Sequence, residues 1–403
     1  MSKVMVGMSG GVDSAVAAYL LKQQGYEVIG VMLRTWDSTV DDTIYSNGLC
    51  ALTGSGEAKN DIGFEVVQNK CCEIDDARDT AQMLGIEFHA FNCVSDFKCH
   101  VVEAFVNEYI CGRTPNPCVE CNRYVKFEKL LYFANVLGCE YIATGHYAKK
   151  VELPNGRVTV QKSDAIKKDQ TYMLYKLSQE QLSRCIFPLG EYDKEKVREI
   201  AREAGIPVAE KKDSQEICFI PDDDYAGFIE RTYDGLIEND SDNASDKTGK
   251  DIIYKDFRVH SWDKPGDFVD KAGNVLGKHK GIIHYTIGQR KGLGLAMGHP
   301  VYVCGLIPDE NKVIIGEEED LYSTDVYVRD YNLLSVPELN IGESIRGFTK
   351  IRYHHPGEWA DITKVDEEKL LLKFDKPVKS ATPGQSTVFY DEENRVIGGG
   401  IIC

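Results

Sequence analysis

Long apolar runs are missing from this 403-residue sequence, in which no stretch approaches the roughly 18 consecutive apolar residues that a membrane-spanning helix needs. The chain also begins with a predicted strand, without the charged and then apolar segment of a secretory signal peptide. Hydrophobic residues make up 42% of the sequence, which is typical of a soluble globular protein with two or three domains. We therefore expect a cytoplasmic protein that does not associate with membranes.

Positive charge is scarce as well. The 47 Lys and Arg residues are outnumbered by 64 Asp and Glu residues, which gives a formal net charge of −17. This balance argues against general affinity for nucleic acids, so a nucleic-acid partner would need a local basic face. The 13 cysteines are an odd number, which argues against the disulfide framework of a secreted protein and indicates reduced thiols, some of them reactive.

An apolar segment, Val4–Gly7, leads into the motif Ser9-Gly10-Gly11-Val12-Asp13-Ser14, after which a second apolar segment follows. This pattern predicts a strand, a tight loop and a helix. Glycines let the backbone approach a ligand, and a helix N-terminus presents unpaired N–H groups, so the loop is predicted to bind phosphates. The lysine of a Walker loop is missing, and backbone N–H groups and hydroxyls would replace it. The motif resembles the pyrophosphate-binding loop of ATP pyrophosphatases.

The loop belongs to a predicted parallel βαβ unit. A second buried strand is expected at Glu27–Leu33, and the crossover places the loop at the carboxyl end of the first strand. Leu33, at the end of the second strand, is the candidate contact for an adenine ring, although an ordinary core leucine fits the spacing equally well. Residues 39–70 are rich in Gly, Ser, Asn and Asp and are interpreted as a long surface insertion without assigned chemistry.

A further strand is predicted at residues 138–144, directly before Gly145-His146-Tyr147-Ala148. Residues just beyond the carboxyl end of a parallel strand face the ligand crevice. Gly145 and His146 are therefore candidate contacts for nucleotide or substrate. A purely structural role is the alternative for both.

Cys118 and Cys121 follow two prolines, and the periodic segment after Cys121 predicts a helix that begins at or near this residue. A thiol at a helix N-terminus has a lowered pKa, which favours the nucleophilic thiolate. The Cys-x-x-Cys spacing also suits half of a zinc site, although the second pair of Cys or His ligands is not evident.

Cys218 lies in a short apolar segment behind a basic turn. As an isolated thiol it would be buried and inert. Paired with Cys121 across one crevice, it is suited to pass sulfur through a persulfide or a mixed disulfide.

Seven motifs occur in order along the chain: Ser9-Gly10-Gly11-Val12-Asp13-Ser14, Thr114-Pro115-Asn116-Pro117, Cys121-Asn122, Gly145-His146-Tyr147-Ala148, Lys168-Asp169-Gln170-Thr171-Tyr172, Ile217-Cys218-Phe219 and Gly288-Gln289-Arg290-Lys291-Gly292-Leu293-Gly294. Together they resemble the tRNA-specific 2-thiouridylases, the MnmA family of the ATP pyrophosphatase (PP-loop) superfamily. The resemblance implies a tRNA-uridine 2-sulfurtransferase. Such an enzyme adenylates the 2-oxygen of the wobble uridine with ATP and replaces it by sulfur from a cysteine persulfide, releasing AMP and pyrophosphate.

The resemblance also implies roles for individual residues. Cys121 would be the nucleophile and Cys218 the persulfide carrier. The residues expected to bind ATP are Gly7, Met8, Ser9, Gly10, Gly11, Val12, Asp13, Ser14, Leu33 and Gly145. The residues expected to contact tRNA are Asn116, Pro117, Cys118, His146, Lys168, Asp169, Gln170, Arg352, Tyr353 and Gln385. Many family members have Asp at the position of Cys118. Mg²⁺ is expected to accompany ATP near Asp13, no resident metal is expected, and the sulfur donor would be a cysteine desulfurase or a relay protein that carries a persulfide.

The expected architecture has three parts. Residues 1–224 would form an α/β domain with a Rossmann-like parallel sheet of the adenine nucleotide α-hydrolase type. Residues 225–320 would form a small β-rich domain that contacts tRNA, and residues 321–403 a C-terminal β-barrel with strands near 344–353, 370–374 and 387–390.

Basic and aromatic residues favour an RNA-facing edge on this barrel. The residues are Arg346, Lys350, Arg352 and Tyr353, and Arg290 with Lys291 would add contacts with phosphates. The alternative for the barrel residues is an ordinary strand whose exposed side chains alternate with buried ones. The alternative for Arg290 and Lys291 is a charged hairpin turn. Lys168, Asp169 and Gln170 suit phosphate and base contacts, but a solvated helix start explains them too.

Two other functions are compatible with parts of the sequence. A different ATP pyrophosphatase, such as an amide- or argininosuccinate-forming ligase, would keep the phosphate loop but has no use for Cys121 and Cys218. A non-catalytic tRNA-binding protein would keep the basic strand but not need the loop. Release of pyrophosphate that depends on tRNA separates both from a thiouridylase.

Overall fold

The computed structural model describes residues 1–35, 72–165, 168–211, 217–220, 222–242 and 262–403. The insertion predicted at residues 39–70 lies outside the described residues. Within the described part, no helix has both the length and the apolar character needed to cross a bilayer.

The N-terminal part is built on a five-stranded parallel sheet. Its first strands in chain order are β1 (Lys3–Gly7), β2 (Glu27–Arg34), β3 (Glu87–Asn92) and β4 (Tyr141–Ala143). A hairpin follows, β5 (Ala148–Glu152) with β6 (Val158–Lys162), and then the last strand of the sheet, β7 (Cys185–Ile186). The order β3-β2-β1-β4-β7 reverses direction at β1, so the carboxyl ends of β1 and β4 flank a topological switch point, where sheets of this kind bind ligands.

Helices cover this sheet. They are α1 (Val12–Gln23), α2 (Cys72–Leu84), α3 (Val94–Phe97), α4 (Ala104–Ile110), α5 (Pro117–Glu120), α6 (Glu128–Val136), α7 (Gln179–Arg184), α8 (Lys194–Glu203) and, at the end of this part, α9 (Tyr225–Asp242). Two π-helical segments, Lys98–Glu103 and Cys121–Phe127, join α3 to α4 and α5 to α6. Central strand residues such as Val4, Met5 and Val6 have no exposed surface, because both faces of the sheet are covered.

The rest of the described chain is β-rich. Strands β8 (Gly266–Val269), β9 (Val275–His279), β10 (Tyr302–Ile307) and β11 (Lys312–Gly316) form a sheet in the order β10-β11-β8-β9. The last six strands are β12 (Tyr322–Leu333), β13 (Ser344–Lys350), β14 (Glu358–Lys364), β15 (Lys369–Lys379), β16 (Ser386–Tyr390) and β17 (Val396–Ile402), which close into a barrel in the order β12-β15-β14-β13-β16-β17. The predicted fold class is confirmed.

Several predicted element bounds are wrong, each for a local reason. The helix expected to begin near Cys121 begins at Pro117, which occupies a first-turn position where proline is tolerated. The strand expected at 138–144 is limited to Tyr141–Ala143, since Gly138 has a φ of +66° and ends the preceding helix. The barrel strand expected to reach residue 353 ends at Lys350, so Arg352 and Tyr353 follow it in a turn.

The barrel packs directly on the N-terminal part. Asn332 Nδ2 donates to the carbonyl oxygens of Tyr175 (2.7 Å) and Leu177 (3.0 Å). Lys176 is only 3% exposed. Its ammonium group pairs with Glu120 of α5 and with Asp330 of β12, each at 2.6 Å. Because a buried lysine needs both carboxylates, these contacts fix the barrel relative to the helix that carries Cys118 and Cys121.

Candidate active site

The predicted phosphate loop forms a closed turn between β1 and α1. Ser14 Oγ accepts a hydrogen bond from the N–H of Ser9 (3.1 Å) and donates to the carbonyl of Gly11 (3.0 Å). Gly10 adopts a φ of +71°, a conformation that glycine reaches without strain. Gly11 is the N-cap of α1 and provides no side-chain cap. The helix therefore directs its positive end at the loop without a capping side chain.

Two lysines from distant parts of the sequence reach this loop. Lys194 Nζ lies 2.9 Å from both carboxylate oxygens of Asp13, and the Tyr147 hydroxyl donates to Asp13 Oδ1 at 2.7 Å. Lys211 Nζ lies 3.1 Å from the carbonyl oxygen of Gly10 and 2.7 Å from Asp76 Oδ2. Sequence analysis missed both lysines. The one available signal was the position of Lys194 as the first residue of α8, where a cation is unfavourable for the helix itself.

The expected Mg²⁺ has no ligand set of protein side chains at this loop. Both oxygens of Asp13 are already engaged by Lys194. Within the part of the chain that the structure describes, no three His, Cys, Asp or Glu side chains are grouped so that they could hold a metal ion. The described side chains at the loop therefore do not fit a magnesium site built by the protein alone.

Residues after β4 close one side of the loop. A Cβ atom on Gly145 would lie 2.8 Å from the carbonyl carbon of Asp13 and 2.8 Å from the amide nitrogen of Ser14, so only glycine allows this approach. On the loop's other side, the N–H of Met8 donates to the carbonyl of Val31 on β2 (2.7 Å). Leu33, near the end of β2, is partly buried and packs on the core.

His146 packs near the helical segment that begins at Cys121. Its Nδ1 is 2.8 Å from Thr144 Oγ1, and its ring centroid is 5.6 Å from that of Phe127. Burial, with a smaller contribution from the positive charge of Lys126, lowers the pKa of His146 to about 3. His146 is therefore neutral at pH 7 and can contact a ligand by hydrogen bonding but not as a cation.

The candidate site contains three cysteines. Cys118 is exposed at the second residue of α5, Cys121 is 7% exposed one turn later, and Cys218 is exposed. Burial, together with negative charge on Cys121 and Cys118, raises the pKa of Cys218 to about 11. Cys218 therefore interacts electrostatically with both other thiols, and its pairing with Cys121 across one crevice stays a prediction.

The predicted lowering of the Cys121 pKa is wrong. Burial raises this pKa, which the charge of Lys126 opposes. The helix begins at Pro117, so Cys121 lies beyond the first turn, where the effect of the helix dipole has faded. Lys126 also opposes the raised pKa of Cys218, so among the described residues its charge acts on Cys121, Cys218 and His146 alike.

The helical register explains why Lys126 reaches Cys121. Cys121–Phe127 is π-helical, so its backbone hydrogen bonds join residues five apart, and residues 121 and 126 lie on the same face. In an α-helix, five residues would turn Lys126 about 140° away from Cys121.

The segment that carries the cysteines is held by a neighbouring turn. Asn122, which is 2% exposed, donates from Nδ2 to the carbonyl oxygen of Met173 (3.0 Å), and Asn116 Nδ2 lies 3.7 Å from Met173 Sδ. Asn122 Oδ1 is buried and has no hydrogen-bond partner in the described part of the chain. Pro117 is buried, whereas Cys118 is exposed.

Most residues expected to contact tRNA make contacts within the protein. Gln170 Oε1 accepts from the N–H of Tyr147 (3.0 Å), and the Tyr353 hydroxyl donates to the carbonyl of Asp169 (2.9 Å). Arg352 donates to the carbonyl of Lys379 (3.0 Å). Lys168 is partly exposed beside this group. These contacts position the 168–170 turn at the site, and they do not test whether its free faces contact RNA.

The expected basic edge of the barrel is smaller than predicted. Arg346 pairs with Asp361 (3.1 Å) and with Asp375, so its charge is compensated locally. Lys350 Nζ remains over the rings of Tyr353 (5.6 Å) and Tyr172 (6.0 Å), and burial lowers its pKa. Lys350 with Tyr353 is the part of the edge that faces the 168–170 turn.

Because only a thiolate is alkylated, we expect iodoacetamide to modify Cys218 slowly at neutral pH. With a pKa of about 11, Cys218 should react about a hundredfold more slowly at pH 8 than free N-acetylcysteine, and its rate should rise about tenfold per pH unit up to pH 11. Mass spectrometry of the tryptic peptide 213–231 measures this rate. Alkylation as fast as that of N-acetylcysteine at pH 8 would contradict the raised pKa.

Gln385 connects the barrel to the segment before Cys118. Its Nε2 donates to the carbonyl of Thr114 (2.9 Å), and the N–H of Thr114 donates to the carbonyl of Pro383 (2.8 Å). We expect Gln385→Ala and Gln385→Glu, which both lose the donor, to slow the tRNA thiolation that the sequence resemblance implies about tenfold, while the Kd for tRNA changes less than about twofold. A weaker tRNA affinity with an unchanged rate in Gln385→Ala would instead indicate a direct tRNA contact.

Three family models match successive parts of the chain. Residues 2–62 and 57–222 match a model described as tRNA methyl transferase HUP domain. Residues 257–317 match a tRNA methyl transferase PRC-barrel domain, and residues 323–402 an aminomethyltransferase beta-barrel domain.

Full-length relatives carry another name. A protein of Lachnoclostridium phytofermentans named tRNA-specific 2-thiouridylase MnmA is 47% identical over 402 residues, which cover 100% of this chain and 99% of that protein. A protein of the same name from Clostridioides difficile is 42% identical over 402 residues, covering 99% of this chain and 98% of that protein. Among solved structures, a 4-thiouridine synthetase–RNA complex with bound ATP covers 60% of this chain and 53% of that chain at 15% identity, with a TM-score of 0.33, a likeness too weak to carry an argument.

Proposed function

Because this chain belongs to the tRNA-specific 2-thiouridylase family, we propose that it replaces the 2-oxygen of the wobble uridine of tRNA by sulfur, using ATP and a cysteine persulfide. Membership in this family makes the chain a tRNA sulfurtransferase, and the use of ATP is part of the proposal. The finer parts of the proposal are the wobble uridine, the adenylated intermediate and the roles of the cysteines. No observation favours methyl transfer, the activity in the family models' descriptions, because the relatives that match over their full lengths are named for thiolation.

The observation that carries the proposal is that Gly145 and Tyr147 contact the phosphate loop, while His146 between them packs against Phe127 of the helical segment that begins at Cys121. Gly145 packs on the backbone of Asp13 and Tyr147 donates to its carboxylate, while His146 shares Lys126 with the thiols. A nucleotide held at the loop and sulfur carried on a cysteine would therefore meet in one crevice. Neither rival function needs both features side by side.

In the first step, the uridine 2-oxygen attacks the α-phosphorus of ATP and pyrophosphate leaves. A carbonyl oxygen is a poor leaving group, and the adenylate converts it into one that departs with AMP. Lys194 and Lys211 supply positive charge beside the loop N–H groups, where the charge of the departing pyrophosphate would accumulate. Neutral His146 is suited to hydrogen-bond the uracil or the ribose.

In the second step, Cys218 delivers sulfur. Its exposed position allows an external donor to load a persulfide on it, whereas buried Cys121 is shielded from such a donor. Either the terminal persulfide sulfur attacks C2 and Cys121 then cleaves the S–S bond, or Cys121 first releases sulfide that attacks C2. In both orders AMP departs with the 2-oxygen, and a Cys121–Cys218 disulfide remains.

The predicted tRNA contacts and the division into residues 1–224, 225–320 and 321–403 stay predictions. A target in the single-stranded anticodon loop needs little unstacking to enter a pocket. The negative net charge means that binding depends on local groups such as Lys350, Tyr353 and the exposed pair Arg290 and Lys291.

The proposal is tested by incubating the protein with an anticodon-loop-containing tRNA transcript, ATP, Mg²⁺ and a small-molecule persulfide donor. We expect 2-thiouridine in the digested RNA, with AMP and pyrophosphate formed in about equal amounts and only when RNA is present. A transcript with cytidine at the wobble position is the control and should yield neither product. Pyrophosphate release without RNA, or no thiouridine with a donor shown to be competent, would refute the proposal.

A further inference from the structure

The third cysteine of the cluster, Cys118, has no role in the two steps above. Building on the proposed function, we propose that Cys118 and Cys121 form a dithiol pair that takes over the disulfide left by sulfur transfer, so that Cys118 is a further catalytic residue. The pair then frees Cys218 for the next persulfide and presents the disulfide at the surface.

The helix brings Cys118 and Cys121 into bonding range. Three residues apart on one helix, their Cα atoms are separated by about 5 Å, which lies within the range of disulfides. Cys118 occupies the exposed first turn, and Asn116, the N-cap, uses no side-chain cap there. Cys121 is buried one turn later. An exposed thiol followed by a buried thiol in Cys-x-x-Cys spacing is the arrangement of dithiol redox pairs.

Cys218 completes the geometry for exchange. Cys118 and Cys121 are three residues apart on one continuous helical segment, so the Cys118 sulfur is a neighbour of the Cys121 sulfur when Cys121 is bonded to Cys218. The charges of Cys121 and Cys118 both act on Cys218. Within the described residues, no group of three metal-binding side chains includes these cysteines.

Disulfide exchange moves the bond from Cys218 to Cys118. The Cys118 thiolate attacks Sγ of Cys121, so the Cys118–Cys121 bond forms while the Cys121–Cys218 bond breaks. Cys218 leaves as a thiolate. No net oxidation occurs in this step. An external dithiol reductant then supplies two electrons and two protons at exposed Cys118, which returns the pair to two thiols.

The test maps the disulfide after one round of thiolation without reductant. Trypsin releases Cys118 and Cys121 together in peptide 114–123 and Cys218 in peptide 213–231. After acid quenching and alkylation, we expect peptide 114–123 to be lighter than its reduced form by two hydrogen atoms and Cys218 to be alkylated. This internally bonded peptide should exceed the cross-linked pair of peptides at least about tenfold. In Cys118→Ser and Cys118→Asp, the cross-link between the two peptides should be the main disulfide. Its amount is expressed per thiouridine formed. Cys403→Ser, which changes an exposed cysteine outside the cluster, should behave as the unaltered protein.

The unaltered protein alone decides the inference. If it forms thiouridine but carries mainly the cross-link between peptides 114–123 and 213–231, Cys118 does not resolve the disulfide and the inference is wrong. If it forms no thiouridine with a competent donor, the proposed function itself fails. Thiouridine with both cysteines of peptide 114–123 alkylated would overturn the inference as well.

Discussion

Replacing Cys218 by serine is expected to lower thiouridine formation by at least about a thousandfold, while tRNA-dependent release of pyrophosphate stays within about threefold of the unaltered protein. The reason is the separation of two tasks in one crevice. The loop of Ser9–Ser14 with Lys194 and Lys211 serves adenylation, and Cys218 contacts none of these groups in the described structure. Nucleoside mass spectrometry and a pyrophosphate assay on the same reaction measure both tasks.

The companion variant Cys121→Ser should also fail to form thiouridine, but it should retain sulfur on Cys218, which the Cys218→Ser variant cannot do. Cys218 stays exposed and should accumulate a persulfide, detectable as a mass increase of one sulfur atom on peptide 213–231. Cys99→Ser, at another exposed cysteine, is the matched control and should retain both activities. Thiouridine from Cys218→Ser would show that sulfur reaches the uridine without this residue.

The sequence was sufficient for the fold class and for the contact of Gly145 and Tyr147 with the phosphate loop. Alternating and continuous apolar segments mark the strands, and glycine-rich turns mark where the backbone approaches itself or a ligand. In an open parallel sheet, the carboxyl ends of β1 and β4 necessarily meet at the switch point. The site was therefore predictable from motif order together with topology.

What escaped prediction depends on tertiary contacts. The π-helical register of Cys121–Phe127, which turns Lys126 towards Cys121, has no signature in residue spacing. The raised pKa of Cys121 follows from burial among elements that are distant in sequence. The contacts of Gln385 and Gln170 with the segments that carry Cys118 and His146 were also not predicted, and their roles as tRNA contacts stay predictions. A polar residue beside a site looks the same in sequence whether it contacts the substrate or the protein.

Gly145→Ala is expected to lower the rate of pyrophosphate release about a hundredfold with the protein still folded. The added Cβ would lie 2.8 Å from backbone atoms of Asp13 and Ser14, which cannot rotate away as a side chain does. The loop must shift, and a displacement of about 1 Å in a group that positions phosphates costs about two orders of magnitude in rate. Steady-state assays at saturating ATP and tRNA measure the effect, and circular dichroism checks the fold.

A second glycine provides the matched control for this prediction. A Cβ on Gly305 of β10 would meet the end of the flexible Ile314 side chain at 3.1 Å, so Gly305→Ala should be accommodated with less than a twofold change in rate. If Gly145→Ala kept full pyrophosphate release, the loop would be mobile enough to bind nucleotide without its contact with residue 145. Since thiolation requires the adenylate, loss of thiouridine in Gly145→Ala should match the loss of pyrophosphate in size. This equality distinguishes the Gly145→Ala variant from the Cys218→Ser variant, in which only sulfur transfer fails.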